Sequence, residues 1–225
     1  MAQMVGEYLS LPFPRNTNPK FESCIMHGHM LPGPFMKNII CLFRDGRDVM
    51  VSSYYHMLFQ SEKNPPALVK RVRRDLQFSD YHDVRKNLPE FIRYNFEYRK
   101  KSFNPNQFSW DQFVRSWIKK NVCKIKYEDM VSDGVTSLTR TLIQLTGKPV
   151  DTERVKQIIK KYSFENQAKR KPGQENTNSF LRKGVPGDWK EKFTHEAAIE
   201  FDKHAGKELI DLGYEKSNNW IFMVN

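Results

Sequence analysis

Apolar positions along this chain fall into two kinds of run. The first kind is short and continuous: residues 22–27 (ESCIMH), 37–43 (KNIICLF) and 122–127 (VCKIKY) read as strands. KNIICLF is the clearest, an unbroken apolar run that ends at polar RDGRD. Continuous rather than alternating apolar character predicts strands buried on both faces, as in parallel sheets. The second kind is periodic. From Asp48 to Phe59, Val51, Tyr54, Tyr55 and Leu58 recur at helical spacing, and within 108–119 Phe113 and Trp117 stand four apart. Residues 134–146 and 151–162 read as two further helices split by Gly-Lys-Pro, and 194–212 as a last one ending before Gly213. Strands alternating with helices predict an α/β fold, a parallel sheet flanked by helices.

Two stretches break the pattern. Residues 60–106 are basic and interrupted by Pro65, Pro66 and Pro89, with helices expected at 67–75 and 87–100. Residues 165–190 are polar and rich in Gly and Pro, and a loop of that length within a compact domain is usually functional or mobile. A chain of 225 residues with 39% apolar residues suits one domain spanning 1–225.

Composition changes the picture in three places. A net charge of +11 implies an anionic partner or a broadly basic surface, and charge alone does not choose between nucleotide, polysaccharide, lipid and nucleic acid. Lys70, Arg71, Arg73 and Arg74 form a local cationic cluster, but no nucleic-acid-binding signature accompanies it. A solvated helix face accounts for the cluster, and no nucleic-acid partner is expected. Cys24, Cys41 and Cys123 lie in the strand-like runs. Their odd number and unpaired spacing argue against disulfides or a metal site and for free thiols in a reducing compartment. The start, MAQMVGEYLSLPFP, lacks the basic and apolar regions of a secretory signal. The longest apolar runs, Ile39–Phe43 and Trp220–Val224, fall short of the ~20 residues that span a bilayer. These readings predict a cytoplasmic protein with no membrane partner.

Two segments carry candidate chemistry. In Arg44-Asp-Gly-Arg-Asp-Val-Met-Val-Ser52, Arg44 follows the carboxyl end of a strand, where open α/β sheets bind ligands, and Ser52 lies early in the next helix. The guanidinium suits phosphate and the hydroxyl can donate to it. The competing reading is a surface turn in which Asp45 or Asp48 caps the helix. In Phe180-Leu-Arg-Lys-Gly-Val-Pro-Gly-Asp-Trp-Lys190, adjacent Arg182 and Lys183 precede two glycines that let backbone amides approach an anion.

With Lys126-Tyr-Glu-Asp129, these segments resemble the cytosolic-type sulfotransferase family in order and spacing over roughly residues 21–202. FLRKGVPGDWK is the most specific of the three strings. The resemblance implies a P-loop-like sulfotransferase fold that uses 3′-phosphoadenosine 5′-phosphosulfate (PAPS) as sulfuryl donor and releases adenosine 3′,5′-bisphosphate. It assigns Arg44, Ser52, Arg182, Lys183 and Gly184 to the 3′-phosphate, and Tyr127 and Phe164 to the adenine. His27-Gly-His-Met-Leu-Pro32 is similar to the family's Lys-Thr-His-Leu-Pro string, making His29 the candidate catalytic base. Here His27 stands where the family often has lysine, and one extra residue precedes the proline. The implied acceptor is a small molecule or glycan bearing a hydroxyl or amine, in a pocket drawn from residues 54–110 with Tyr54, Tyr55 and His56 near its mouth.

The family's Pro-Lys-Ser-Gly-Thr-Thr-type turn, which serves the 5′-phosphosulfate, is not found. Pro19-Lys20 is followed by Phe-Glu-Ser. The resemblance therefore implies a chain that begins after the first strand and its phosphate loop. A shortened form of an enzyme, a relative that binds adenosine 3′,5′-bisphosphate without turnover, and replacement of the loop by another segment all stay open. Lys190 and Thr194 match the family's dimer motif but His195 and Ile199 depart from it, which leaves dimerisation open too.

Overall fold

A computed structural model describes residues 1–14, 22–34, 36–100 (backbone only at 99 and 100) and 107–224. In chain order the elements are α1 (Ala2–Leu9), β1 (Ile40–Phe43), α2 (Gly46–Leu58), α3 (Pro66–Asp75), α4 (Val84–Lys100) and α5 (Trp110–Trp117). There follow β2 (Cys123–Lys126), α6 (Tyr127–Ser132), α7 (Gly134–Thr146), α8 (Thr152–Lys161) and α9 (Phe164–Ala168). The chain closes with α10 (Trp189–Lys192), α11 (His195–Asp211) and a 3-10 turn at Asn218–Met223. They group into two compact units, one of residues 1–43 and 120–172, the other of 44–119 and 173–225.

The first unit holds the sheet. β1 and β2 pair in parallel, with Ile40 opposite Cys123 and Phe43 opposite Lys126. Both strands alternate in burial: Cys41, Phe43, Cys123 and Ile125 are buried, while Leu42 and Lys124 are exposed. The expectation of burial on both faces is therefore corrected. Among the described residues only one face of the pair is covered, so only alternate side chains go inside. The core of this unit is Val5, Leu138, Leu142, Val155 and Ile158. Asp133 and Asp151 cap α7 and α8 through the amides of Thr136 and Arg154. Glu7 fastens α1 to α8, accepting from Lys161 and from the Tyr162 hydroxyl, each at 2.8 Å.

The run 22–27 is not a strand. The Ile25 amide donates to the Pro12 carbonyl at 2.8 Å, and its side chain joins the helical core, so this backbone bonds a loop rather than a ladder. Cys24 is thus outside any strand. All three thiols are free, and burial raises those of Cys41, to about 12, and Cys123.

The second unit is helical. Tyr54, Leu58, Leu88, Phe91, Ile92, Phe96, Val114, Phe193, Phe201 and Leu209 are fully buried, with α4 and α11 in contact. Residues 60–100 are more regular than their prolines suggest. Pro66 opens α3, where its missing N–H costs nothing. Pro89 lies inside α4. A proline there costs about 3 kcal/mol. Burying a large apolar side chain contributes about 1.5–3 kcal/mol, and Leu88, Phe91, Ile92 and Phe96 together outweigh the loss. Gly46, at the start of α2, is packed so tightly that a Cβ would lie 2.7 Å from both Phe201 and Trp110.

Candidate functional site

The second unit contains Arg44, Ser52, Arg182, Lys183 and Gly184; the first contains His29, Tyr127 and Phe164.

In the second unit the site is built on α2. Asp45 caps the helix, accepting from the Arg47 amide at 2.9 Å. Its carboxylate also takes the Arg47 guanidinium, which is buried against the rings of Trp189 and Trp220 at 3.6 and 4.8 Å and reaches Glu215 at 2.5 Å. Asp45 caps the helix as the turn reading of this segment expects, but the turn is buried rather than at the surface, and Asp48 is left for a second task. Asp48 is buried and accepts from the amides of Gly187 at 2.6 Å and Trp189 at 3.0 Å, with the Arg44 guanidinium 4.0 Å away. Burial raises its pKa, and the two amides and Arg44 only partly offset that.

The turn that Asp48 anchors carries Asp188, also buried. One oxygen of Asp188 accepts from Arg182 and the other from Lys183, each at 2.5 Å. Burial would raise the Asp188 pKa, but Lys183 and Arg182 outweigh it and hold the carboxyl below its ordinary range. Lys183 also reaches Glu191 at 3.1 Å, and Arg182 pairs with Glu175. The Arg182 guanidinium lies 4.3 Å over the ring of Tyr55. Gly184 and Gly187 take positive φ, 71° and 84°, and so turn the chain between the cations and Asp188.

Asp48, Ser52 and Tyr55 are spaced four and three apart and share one face of α2. Arg44 meets that face at Asp48, and Arg182 meets it at Tyr55. Three cations are thus mounted on two buried carboxylates, beside a turn in which Gly184 and Gly187 take positive φ. This donor set fits a phosphate dianion.

In the first unit Tyr127 opens α6 immediately after β2, half-buried. Phe164 opens α9 with the Arg170 guanidinium 4.9 Å over its ring, and Ser163 caps that helix. His29 is exposed in irregular backbone, its ring edge-on to His27 at 5.6 Å. The Pro19-Lys20 string lies outside the described residues.

One expectation is corrected here. Tyr54 does not face a pocket mouth. It is fully buried, donating to the Tyr81 carbonyl at 2.8 Å and accepting from Asn87 at 3.0 Å, and burial raises it to about 12. The cluster at 70–74 is the solvated helix face expected, with Lys70, Arg71 and Arg74 exposed. Arg73 donates to the Leu58 carbonyl at the end of α2 and lies 4.3 Å over Tyr81, while Arg74 pairs with Asp75. Residue patterning missed Glu175, and it gave Asp48 and Asp188 no role in holding the cations. An acid four residues after Arg44, and another following Gly187 with two cations upstream, were the available signals for the aspartates.

A parallel strand pair with helices after each strand defines an α/β protein, and its second unit carries a glycine-flanked cation turn held by a buried carboxylate. Residues 14–213 match the sulfotransferase domain, and the chain belongs to that family. It is 28% identical over 213 residues to sulfotransferase 1E1 of Cavia porcellus, covering 85% of this chain and 62% of the relative. It is also 28% identical over 202 residues to the 3-beta-hydroxysteroid sulfotransferase of the same species, covering 83% and 62%. The chain therefore spans about three-fifths of the length of these relatives. The crystal structure of mouse sulfotransferase SULT7A1 complexed with PAP superposes with a TM-score of 0.54 at 21% identity, over 83% of this chain and 63% of that one. It shares the fold. Among the described residues no helix is long and apolar enough to cross a membrane.

Proposed function

We propose that this chain binds PAPS and takes part in transferring its sulfuryl group to a hydroxyl or amine of a small-molecule or glycan acceptor. The observation that carries the reading is the set Arg44, Arg182 and Lys183 held on Asp48 and Asp188, in a chain of the sulfotransferase family. When bound, PAPS supplies the sulfuryl group on a phosphate leaving group, and adenosine 3′,5′-bisphosphate is the product. The three cations, the Ser52 hydroxyl and the Gly184 amide bind the 3′-phosphate. Tyr127 and Phe164 orient the adenine. His29 accepts the proton of the attacking hydroxyl, work that suits an imidazole near neutral pH. A cytoplasmic location agrees with three free thiols.

The test is a pair of titrations. Adenosine 3′,5′-bisphosphate should bind about tenfold or more tightly than adenosine 5′-monophosphate, since charge-assisted hydrogen bonds contribute about 1.5–3 kcal/mol. Equal affinities would sink the assignment. A second reading, binding of the bisphosphate without turnover, is favoured by one sequence observation: no Pro-Lys-Ser-Gly-Thr-Thr-type string occurs in the 225 residues. Such donors act where charge develops, and losing one costs about 10²–10³ in rate. A transfer assay with PAPS on this chain separates the two readings, and loss of any turnover in His29→Ala would support the base.

A further inference from the structure

Arg182 and Lys183 are already engaged by carboxylates, and these differ sharply in burial. Asp188 is 1% exposed and uses one oxygen for each cation. Glu175, on Arg182, is 29% exposed, and Glu191, on Lys183, is 69% exposed. Glu175 lies on a segment tied back on itself: the Gly173 amide donates to the Lys183 carbonyl at 2.8 Å, and the Asn176 amide to that of Arg182 at 3.0 Å. These bonds hold Glu175 beside the guanidinium through the backbone. Burial first, and then the charge of Glu175, raise the pKa of the hydroxyl of Tyr55, the residue whose ring Arg182 covers. An exchangeable anion therefore occupies part of the arginine fork, while a buried one fixes the opposite part.

We infer that Glu175 is a built-in competitor of the 3′-phosphate, a carboxylate that occupies Arg182 in the ligand-free chain and yields to the incoming anion while Asp188 stays. This rests on the reading that Arg182 holds the 3′-phosphate. Burial decides which carboxylate leaves. Glu175 can recover solvation at the surface once displaced, whereas Asp188 would have to abandon two cations and remain inside. Glu175 thus tunes affinity, holding the arginine oriented without ligand and weakening product retention by its competition.

The experiment is calorimetric titration of wild type, Glu175→Gln and Glu175→Ala with adenosine 3′,5′-bisphosphate and with adenosine 5′-monophosphate, thermal melts confirming that each variant is folded. Both variants should bind the bisphosphate more tightly, by about two- to fivefold, the range set by a partly exposed ion pair. Binding of the monophosphate should not change. If wild type does not prefer the bisphosphate, the underlying 3′-phosphate assignment fails. If it does, and both folded variants bind the bisphosphate no more tightly than wild type, the competitor role alone is overturned. Equal tightening of both nucleotides would also overturn it, because the gain would not come from the 3′-phosphate.

Discussion

Arg44 and Arg182 make the sharpest residue-level claims. Each offers a guanidinium to the 3′-phosphate under the proposed function, so Arg44→Ala and Arg182→Ala should each weaken adenosine 3′,5′-bisphosphate binding by roughly tenfold or more. Adenosine 5′-phosphosulfate, which lacks the 3′-phosphate, should lose little in the same variants. Equal losses for both nucleotides, measured by titration, would remove the assignment. Asp188 makes a claim about pH. Its folded pKa is depressed, so its contribution to stability is present above the unfolded value of about 3.9 and is lost as pH falls through the folded value. Asp48 has the opposite sign: its folded pKa is raised, so its charged form disfavours folding, a penalty relieved as pH falls. Melting temperature followed from pH 7 to 2 should therefore drop on an acid limb that Asp188→Asn flattens. An unchanged limb in that variant would deny Asp188 its part.

At the scale of elements, the decisive join is between α2 and the turn at 187–189. Asp48 accepts two amides of that turn, those of Gly187 and Trp189. Asp48→Asn replaces one acceptor oxygen by a donor, which faces an N–H and leaves it unsatisfied at about 1–3 kcal/mol. That variant should unfold at lower urea and also bind the bisphosphate more weakly, because the loop carrying Arg182 and Lys183 loses its anchor. Full stability would show that the anchor is dispensable. Gly46→Ala probes the packing at the same end of the helix. The added methyl would lie 2.7 Å from the rings of Phe201 and Trp110, neither of which is a flexible chain end. Overpacking of this kind costs about 1–3 kcal/mol, measurable by urea unfolding, and unaltered stability would contradict the packing.

For the whole molecule, the charge of +11 becomes specific only through the carboxylates that organise it. Arg47, Arg73 and Arg93 are committed to structure, against Asp45 and Glu215, the end of α2, and Glu200 respectively. The cations assigned to the 3′-phosphate under the proposed function are those that buried acids hold. A ligand bound only by the folded chain stabilises it by mass action, about 2.7 kcal/mol at a hundredfold excess over Kd. Adenosine 3′,5′-bisphosphate should accordingly raise the melting temperature and slow amide exchange across 173–190, and unaltered exchange there would place the ligand elsewhere.

Much of this was legible in the residues themselves. The runs KNIICLF and VCKIKY and the helices at 134–146, 151–162 and 194–212 follow from local periodicity, and the structure has them within a few residues. The family was legible because FLRKGVPGDWK is a contiguous string whose chemistry needs its neighbours in order. What depended on distant partners was not. ESCIMH has the composition of a strand, but the Ile25 amide went to Pro12. The helix expected over 87–100 begins three residues earlier, at Val84, so that Pro89 lies inside it, where four buried side chains outweigh its cost. Whether Tyr54 faced ligand or core depended on Tyr81 and Asn87. The sequence alone thus determined the elements, the family and the identity of the candidate cations, all of which rest on residues near one another in the chain. Only the tertiary structure decided that Asp48, 139 positions before Gly187, holds the cation turn, that Asp188 fixes Arg182 and Lys183, and that Glu175 shares the arginine. The reason is physical: a buried carboxylate acts through desolvation and through partners folding brings to it, and neither is encoded in spacing.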